Sequence, residues 1–230
     1  MRGVIIAICL LTWVSGALAE GPLWQANFDA QIPGEQPRGW GHYWGEQGDD
    51  LMTVSNMESV SGKNSFLLDR TGTNEAMWGW GVGLPAVTAG TVVLSWCFRV
   101  HGRGNDAHFG WEIRYPNGRE RVAVVGVGDR GVVLQSGNWQ NSVLLGRCEE
   151  DTWVRVTLEL PTRDGKQTQS FGQLEQRQDD GTWQAGERRA VPFVGANPPV
   201  YGVLEMNTSP DKRNYLVYMD DFRMEMRPGP

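Results

Sequence analysis

The chain has 230 residues and a formal net charge of −6. An acidic balance argues against nucleic acid, anionic lipid or anionic polysaccharide held by bulk charge. Glycine (30 residues) and tryptophan (11 residues) are heavily used, and amphipathic helical runs are almost missing, which points to strands and turns.

Residues 1–19 read as a secretory signal peptide. Arg2 supplies the positive end, Val4 to Val14 the apolar run, and Ala17-Leu18-Ala19 the small-residue cleavage site. The run is too short to span a membrane, so the expectation is an exported protein without membrane insertion. Residues 20–230 then read as one domain, a length common among β-sandwiches.

In chain order, strand-like runs cover Leu23–Phe28, Ser65–Asp69, Thr91–Val100, Phe109–Tyr115, Arg121–Val127, Val132–Gln135, Val143–Leu145, Trp153–Leu160, Phe171–Arg177 and Val200–Asn207. Turn pairs such as Asn117-Gly118, Asp164-Gly165 and Asp180-Gly181 separate many of them. Val92, Leu94, Trp96, Phe98 and Val100 share one face of their run, and Val154, Val156, Leu158 and Leu160 share one face of theirs. The closing stretch, Tyr215 to Met226, alternates as well. It places Leu216, Tyr218, Phe222, Met224 and Met226 on one face, with Asp220 inside that apolar row. A carboxylate facing a core needs hydrogen bonds, a cation or a metal. The pattern predicts an all-β antiparallel sandwich or barrel.

Several short motifs carry a resemblance. They are Asn27-Phe28-Asp29, Pro37-Arg38-Gly39-Trp40, Ser61-Gly62-Lys63-Asn64-Ser65-Phe66-Leu67, the run Val92 to Val100, Trp153-Val154-Arg155-Val156 and Tyr218-Met219-Asp220-Asp221-Phe222. Their order resembles the jelly-roll modules of secreted carbohydrate-active proteins. The concanavalin A-like lectin/glucanase superfamily is one such branch, and the calcium-containing jelly-roll carbohydrate-binding modules are another. The resemblance implies a two-sheet jelly roll, an extracellular glycan as partner, and a sugar held on one sheet face. It also implies a structural Ca²⁺ held by Asp29, Glu58 and Asp220, the alternative being buried carboxylates satisfied by backbone N–H groups or arginine.

Two kinds of residue are candidates for glycan contact. His108, Glu112 and Arg114 share the face opposite Phe109, Trp111 and Ile113, with Arg99, Arg155, Glu205 and Asn207 at similar polar positions on other runs. Such a strip offers a base, an acid and a charge stabiliser for lyase or hydrolase chemistry, although a polar outer face is also what any antiparallel sheet exposes. The superfamily glucanases' paired-carboxylate motif is missing. The second kind is aromatic: Trp44, Trp78 and Trp80 lie in glycine-flanked stretches that read as loops, where flat rings stack on sugars. The sequence therefore favours non-catalytic glycan binding, with a polysaccharide lyase or glycoside hydrolase as the alternative and a structural or adhesive protein as a third reading. Gly126-Val-Gly128-Asp-Arg-Gly131 spells a dinucleotide fingerprint, but a strand follows it where a helix is required, so a hairpin turn is expected and no nucleotide cofactor. Export and an even cysteine count after processing make a Cys97–Cys148 disulfide one expectation, with two buried thiols as the other.

Overall fold

The computed structural model describes residues 21–45, 50–72, 78–102, 107–115, 120–137, 140–162, 168–192, 203–208 and 214–227. The signal-peptide reading lies outside these residues. Among the described residues, sixteen strands form two antiparallel sheets. The nine-stranded sheet runs β13 (Trp183–Ala185), β12 (Gln169–Arg177), β11 (Val154–Pro161), β6 (Thr91–His101), β16 (Leu216–Arg227), β4 (Ser65–Asp69), β3 (Leu51–Ser55). On it, β14 (Arg189–Pro192) also pairs β12, and β1 (Trp24–Ala26) also pairs β16. The seven-stranded sheet runs β10 (Ser142–Gly146), β9 (Gly131–Ser136), β8 (Arg121–Gly128), β7 (Phe109–Arg114), β15 (Val203–Thr208), β5 (Trp78–Gly83), β2 (Trp40–Gly45). This is the antiparallel sandwich that the alternation predicts, with the two-sheet jelly-roll architecture that the resemblance implies, and no helix occurs among the described residues.

The inner faces meet in one apolar core. Leu94, Trp96, Phe98 and Val100 of β6 face Trp111 and Ile113 of β7, with Val154, Val156, Leu158 and Leu160 beside them. Aromatic rings centre it: Trp96 lies 5.1 Å from Trp111, and Trp40 lies 5.2 Å from Phe222. Tilted and edge-on contacts of this kind add to the area term that dominates burial.

The closing strand departs from the simple period. Its pairing with β6 shifts between Asp220 and Arg223, and Asp221 takes a left-handed φ of 52°. This β-bulge inserts one residue and changes which face the alternation addresses. Val217, Met219, Phe222 and Met224 are the core residues, while Tyr218 packs with Cys97 in a small cluster outside the main core. The expected row of Leu216, Tyr218, Phe222, Met224 and Met226 is thus two half-rows of opposite phase. Asp220 faces the outer side, opposite Cys97, and not the main core. The bulge also divides one edge of β16: β4 pairs residues 216–219 and β1 pairs residues 222–224.

Two further expectations change. The glycine–tryptophan stretches around Trp44 and Trp78 are strands β2 and β5, paired to each other. Glycine lowers strand propensity, so pairing and burial decide here against the local signal. Cys97 and Cys148 are free thiols, Cys97 in the outer cluster with Trp153 and Tyr218, Cys148 in the main core. They belong to different packing environments, and burial raises both thiols to about 12, so neither is a nucleophile at neutral pH.

Candidate glycan-binding face

The outer side of the seven-stranded sheet is assembled by register. Trp78, Trp80 and Val82 of β5 point into the core, so Gly79 and Gly81 present a bare backbone to the outer side. On β2 the pairing shifts between His42 and Trp44, a bulge that adds Tyr43. Tyr43 and Trp44 consequently lie on the same side, one over each glycine. A Cβ built on Gly79 would meet the Trp44 indole at 2.5 Å, and one on Gly81 would meet the Tyr43 ring at 3.0 Å. The glycines are what let the two rings lie down against the sheet.

Next to them is a buried ionic network. Glu205 of β15 pairs directly with Glu112 of β7. Like charges facing each other across strands repel, and Arg114 resolves this by reaching both: it pairs with Glu112, and its Nε lies 3.1 Å from Glu205. Arg121 donates to Glu112 at 2.6 Å, and the Trp44 indole N–H donates to Glu205 at 2.5 Å. Two carboxylates and two guanidinium groups therefore balance. Burial raises the Glu205 carboxyl above its ordinary range; Trp44 and Arg114 oppose that shift, and Glu112 adds to it. Glu205 is 1% exposed and Glu112 3%, whereas Tyr43 is 46% exposed. Tyr43 meets solvent, and Glu205 underneath holds the Trp44 indole.

Beyond Glu112 the same face opens into a depression of 480 Å³ lined by His108, Gly126, Gly128, Arg130 and Gln135. Gly110 pairs with Gly126, and a Cβ on Gly126 would meet open space. His108 sits at its rim, 3.1 Å from Asp129. The Gly126–Gly131 motif is the β8–β9 hairpin, Gly128 pairing Gly131, as its sequence context predicts.

The polar strip is thus partly assembled. Glu112, Arg114, Glu205 and Asn207 share this face. His108 is four residues from Glu112 along an extended chain, roughly 13 Å away, too far to act on the same bond. Arg99 and Arg155 belong to the other sheet: Arg99 pairs with Glu58 at 2.9 Å and Asp151 at 3.3 Å, and Arg155 with Glu175. Trp78 and Trp80 are corrected outright. They are 1% and 5% exposed core residues, and the Trp78 indole donates to buried Asp50 at 3.0 Å. Of the three tryptophans only Trp44 borders the open face. Tyr43 and Arg121 were missed; the alternation of glycine with large residues in Trp78-Gly-Trp-Gly-Val-Gly83 was the signal of a strand with one bare side.

The expected calcium ligands do not converge. Asp29 accepts the backbone N–H groups of Lys63 (2.5 Å) and Asn64 (3.0 Å), which lower its carboxyl below the usual range. Asp220 accepts those of Val60 and Ser61 (3.2 Å each) and of Asp221 (2.8 Å). Glu58 is paired to Arg99. Backbone N–H donors already point at Asp29 Oδ1 and at both Asp220 oxygens, so these two carboxylates clamp the 60–64 loop, while Glu58 serves Arg99. Burial nevertheless raises Asp220 to about 6 against those hydrogen bonds.

No family model matches the sequence, and no curated protein matches it either. Solved structures do. The chain is similar to an alginate lyase from Aplysia kurodai (9% identity, TM-score 0.56, covering 90% of this chain and 99% of that one). It is also similar to lectin II from Ulex europaeus (8%, 0.53, 89% and 98%) and to the catalytic domain of a glycoside hydrolase family 131 protein from Coprinopsis cinerea (11%, 0.52, 90% and 95%). Binding and catalytic proteins therefore share this architecture, and what the likeness establishes is the fold: the chain is a two-sheet antiparallel jelly-roll sandwich.

Proposed function

We propose that this is an exported protein that binds an extracellular glycan on the outer face of its seven-stranded sheet without cleaving it. One observation carries the reading: a bulge and two glycines lay Tyr43 and Trp44 side by side over the sheet, with the indole fixed by Glu205. Rings immobilised before binding lose little entropy on contact, which is how aromatic surfaces recognise sugar faces economically. The glycine-floored depression extends the same surface. The lectin neighbour is consistent with binding, and the sealed, arginine-paired carboxylates favour binding over turnover, since a general acid or base must reach the substrate.

Screening the chain against a glycan panel, with reducing-end and unsaturated-product assays on the same samples, tests this. Binding is expected without product, and Trp44→Ala should weaken it by about 1–2 kcal/mol. A panel with no bound glycan would contradict the reading. A second reading, a lyase or hydrolase, rests on Glu205, whose raised carboxyl stands beside Glu112 and Arg114 as in many catalytic sites. Product formation abolished by Glu205→Gln would establish that one instead.

A further inference from the structure

We propose that the outer face of the nine-stranded sheet carries a second binding groove, centred on Ser95 and Thr157 and separate from Tyr43 and Trp44, that takes a stretch of uncharged, hydroxyl-rich glycan. A hollow of 560 Å³ lies there, within the range of small-ligand sites. Register explains its shape. Gln25 of β1, Arg223 of β16, Ser95 of β6, Thr157 of β11 and Gln173 of β12 stand in one row across five strands. At the usual strand spacing that row is about 19 Å long, enough for an oligosaccharide and more than a single ring needs. Its centre is low because Ser95 and Thr157 are short. The neighbouring rows are high: Arg155 and Glu175 on one side, Glu225 and Arg227 on the other. The Arg155 wall is fixed, its guanidinium 4.1 Å over the Trp183 ring.

The chemistry of the groove selects its occupant. The side chains of Gln25, Ser95 and Thr157 make no hydrogen bond to other described residues and border the hollow. They offer hydroxyl and amide groups to a polyhydroxyl ligand. The charges are already matched. Arg155 pairs with Glu175 at 3.4 Å, Arg223 with Glu225, and Arg227 with Glu159 at 3.2 Å. Asp221 accepts the Ser61 hydroxyl at 2.6 Å. The lining holds three arginines and three carboxylates. A charged polysaccharide would have to separate one of these pairs, whereas a neutral one can hydrogen-bond to their outer edges and leave them intact. An apolar protein segment would strand the polar floor without partners.

The test uses the full chain in affinity gels containing xyloglucan, galactomannan or hydroxyethyl cellulose, with alginate in parallel. Thr157→Trp fills the groove; Ser95→Gln fills it by another side chain and guards against a folding defect, near-UV circular dichroism reporting on both. Each variant should weaken retention by at least one neutral polysaccharide about tenfold, leave alginate gels as for the wild type, and add to the loss caused by Trp44→Ala. Folded Thr157→Trp and Ser95→Gln proteins that migrate like the wild type in every neutral gel would overturn the proposal, as would a loss confined to alginate. Loss in Trp44→Ala alone overturns the second groove and leaves the first site standing. Loss in the filled variants alone does the reverse.

Discussion

The two outer faces of the sandwich use the same residue types in opposite ways. On the seven-stranded sheet the arginine–glutamate network of Arg114, Glu112 and Glu205 lies almost out of solvent beneath aromatic rings. On the nine-stranded sheet the pairs Arg155–Glu175, Arg223–Glu225 and Arg227–Glu159 stand partly or largely in water around a low floor. A buried pair costs much to desolvate and more to break, because removing one partner strands the other. An exposed pair is screened and contributes little. The difference shows that ion pairs on the first face fix geometry, and on the second only set local charge.

The sharpest way to break this comparison is to remove one partner on each face. Arg114→Met should destabilise the fold by about 3–5 kcal/mol, and Arg223→Met by less than about 1 kcal/mol, both read from urea denaturation. Equal losses would mean that burial does not distinguish the faces. Next in size is Gly79→Val. The added side chain occupies the place of the Trp44 indole, so glycan affinity should fall as far as in Trp44→Ala, with an overpacking cost of about 1–3 kcal/mol. Retained affinity would show that the ring is not held by the bare glycine.

The pH dependence sharpens the contrast further. Asp220 is raised in the folded protein to about 6 from 3.8. Its contribution to stability is therefore fully present below about pH 4 and lost as pH rises through about 6, on the order of 2 kcal/mol. Asp29 and Asp151 are lowered, so theirs is present above about pH 4 and lost as pH falls below it. Asp220→Asn should remove the decline between pH 4 and 6.5, seen as a flatter midpoint profile; an unchanged profile would place that titration elsewhere. The smallest effects expected are none at all. Reductant should leave the melting temperature in place because Cys97 and Cys148 are thiols, and so should chelator or added calcium, because backbone N–H groups and Arg99 already serve the three carboxylates. A fall of several degrees with either reagent would contradict the packing described.

The strands with clean period-two patterns, β6, β7, β11 and β12, were legible from sequence because burial on one face imposes that period. The closing strand was legible as a strand and misread in phase, since a one-residue bulge leaves composition untouched while reversing every later side chain. The candidate site was harder. Glu112, Arg114 and Glu205 were found as polar residues opposite apolar ones, yet nothing local says that Glu112 and Glu205 are neighbours while Arg99 is on another sheet; only register does. Trp78 and Trp80 misled because glycine-flanked rings suggest loops, whereas here glycine clears room for the rings of the next strand. The buried Asp50–Arg70 pair had no signal, its partners being brought together only by the packed strand ends.

The central claim, that glycan contacts the rings of β2 and not the tryptophans of the core, is tested most directly by NMR of the tryptophan indole N–H groups during titration with a bound glycan from the panel. Trp44 is assigned by its loss in Trp44→Phe. The account predicts that the Trp44 resonance shifts with saturable dependence on glycan while those of Trp78, Trp80, Trp96 and Trp111 stay in place. A stationary Trp44 resonance, or shifts confined to the core tryptophans, would contradict it.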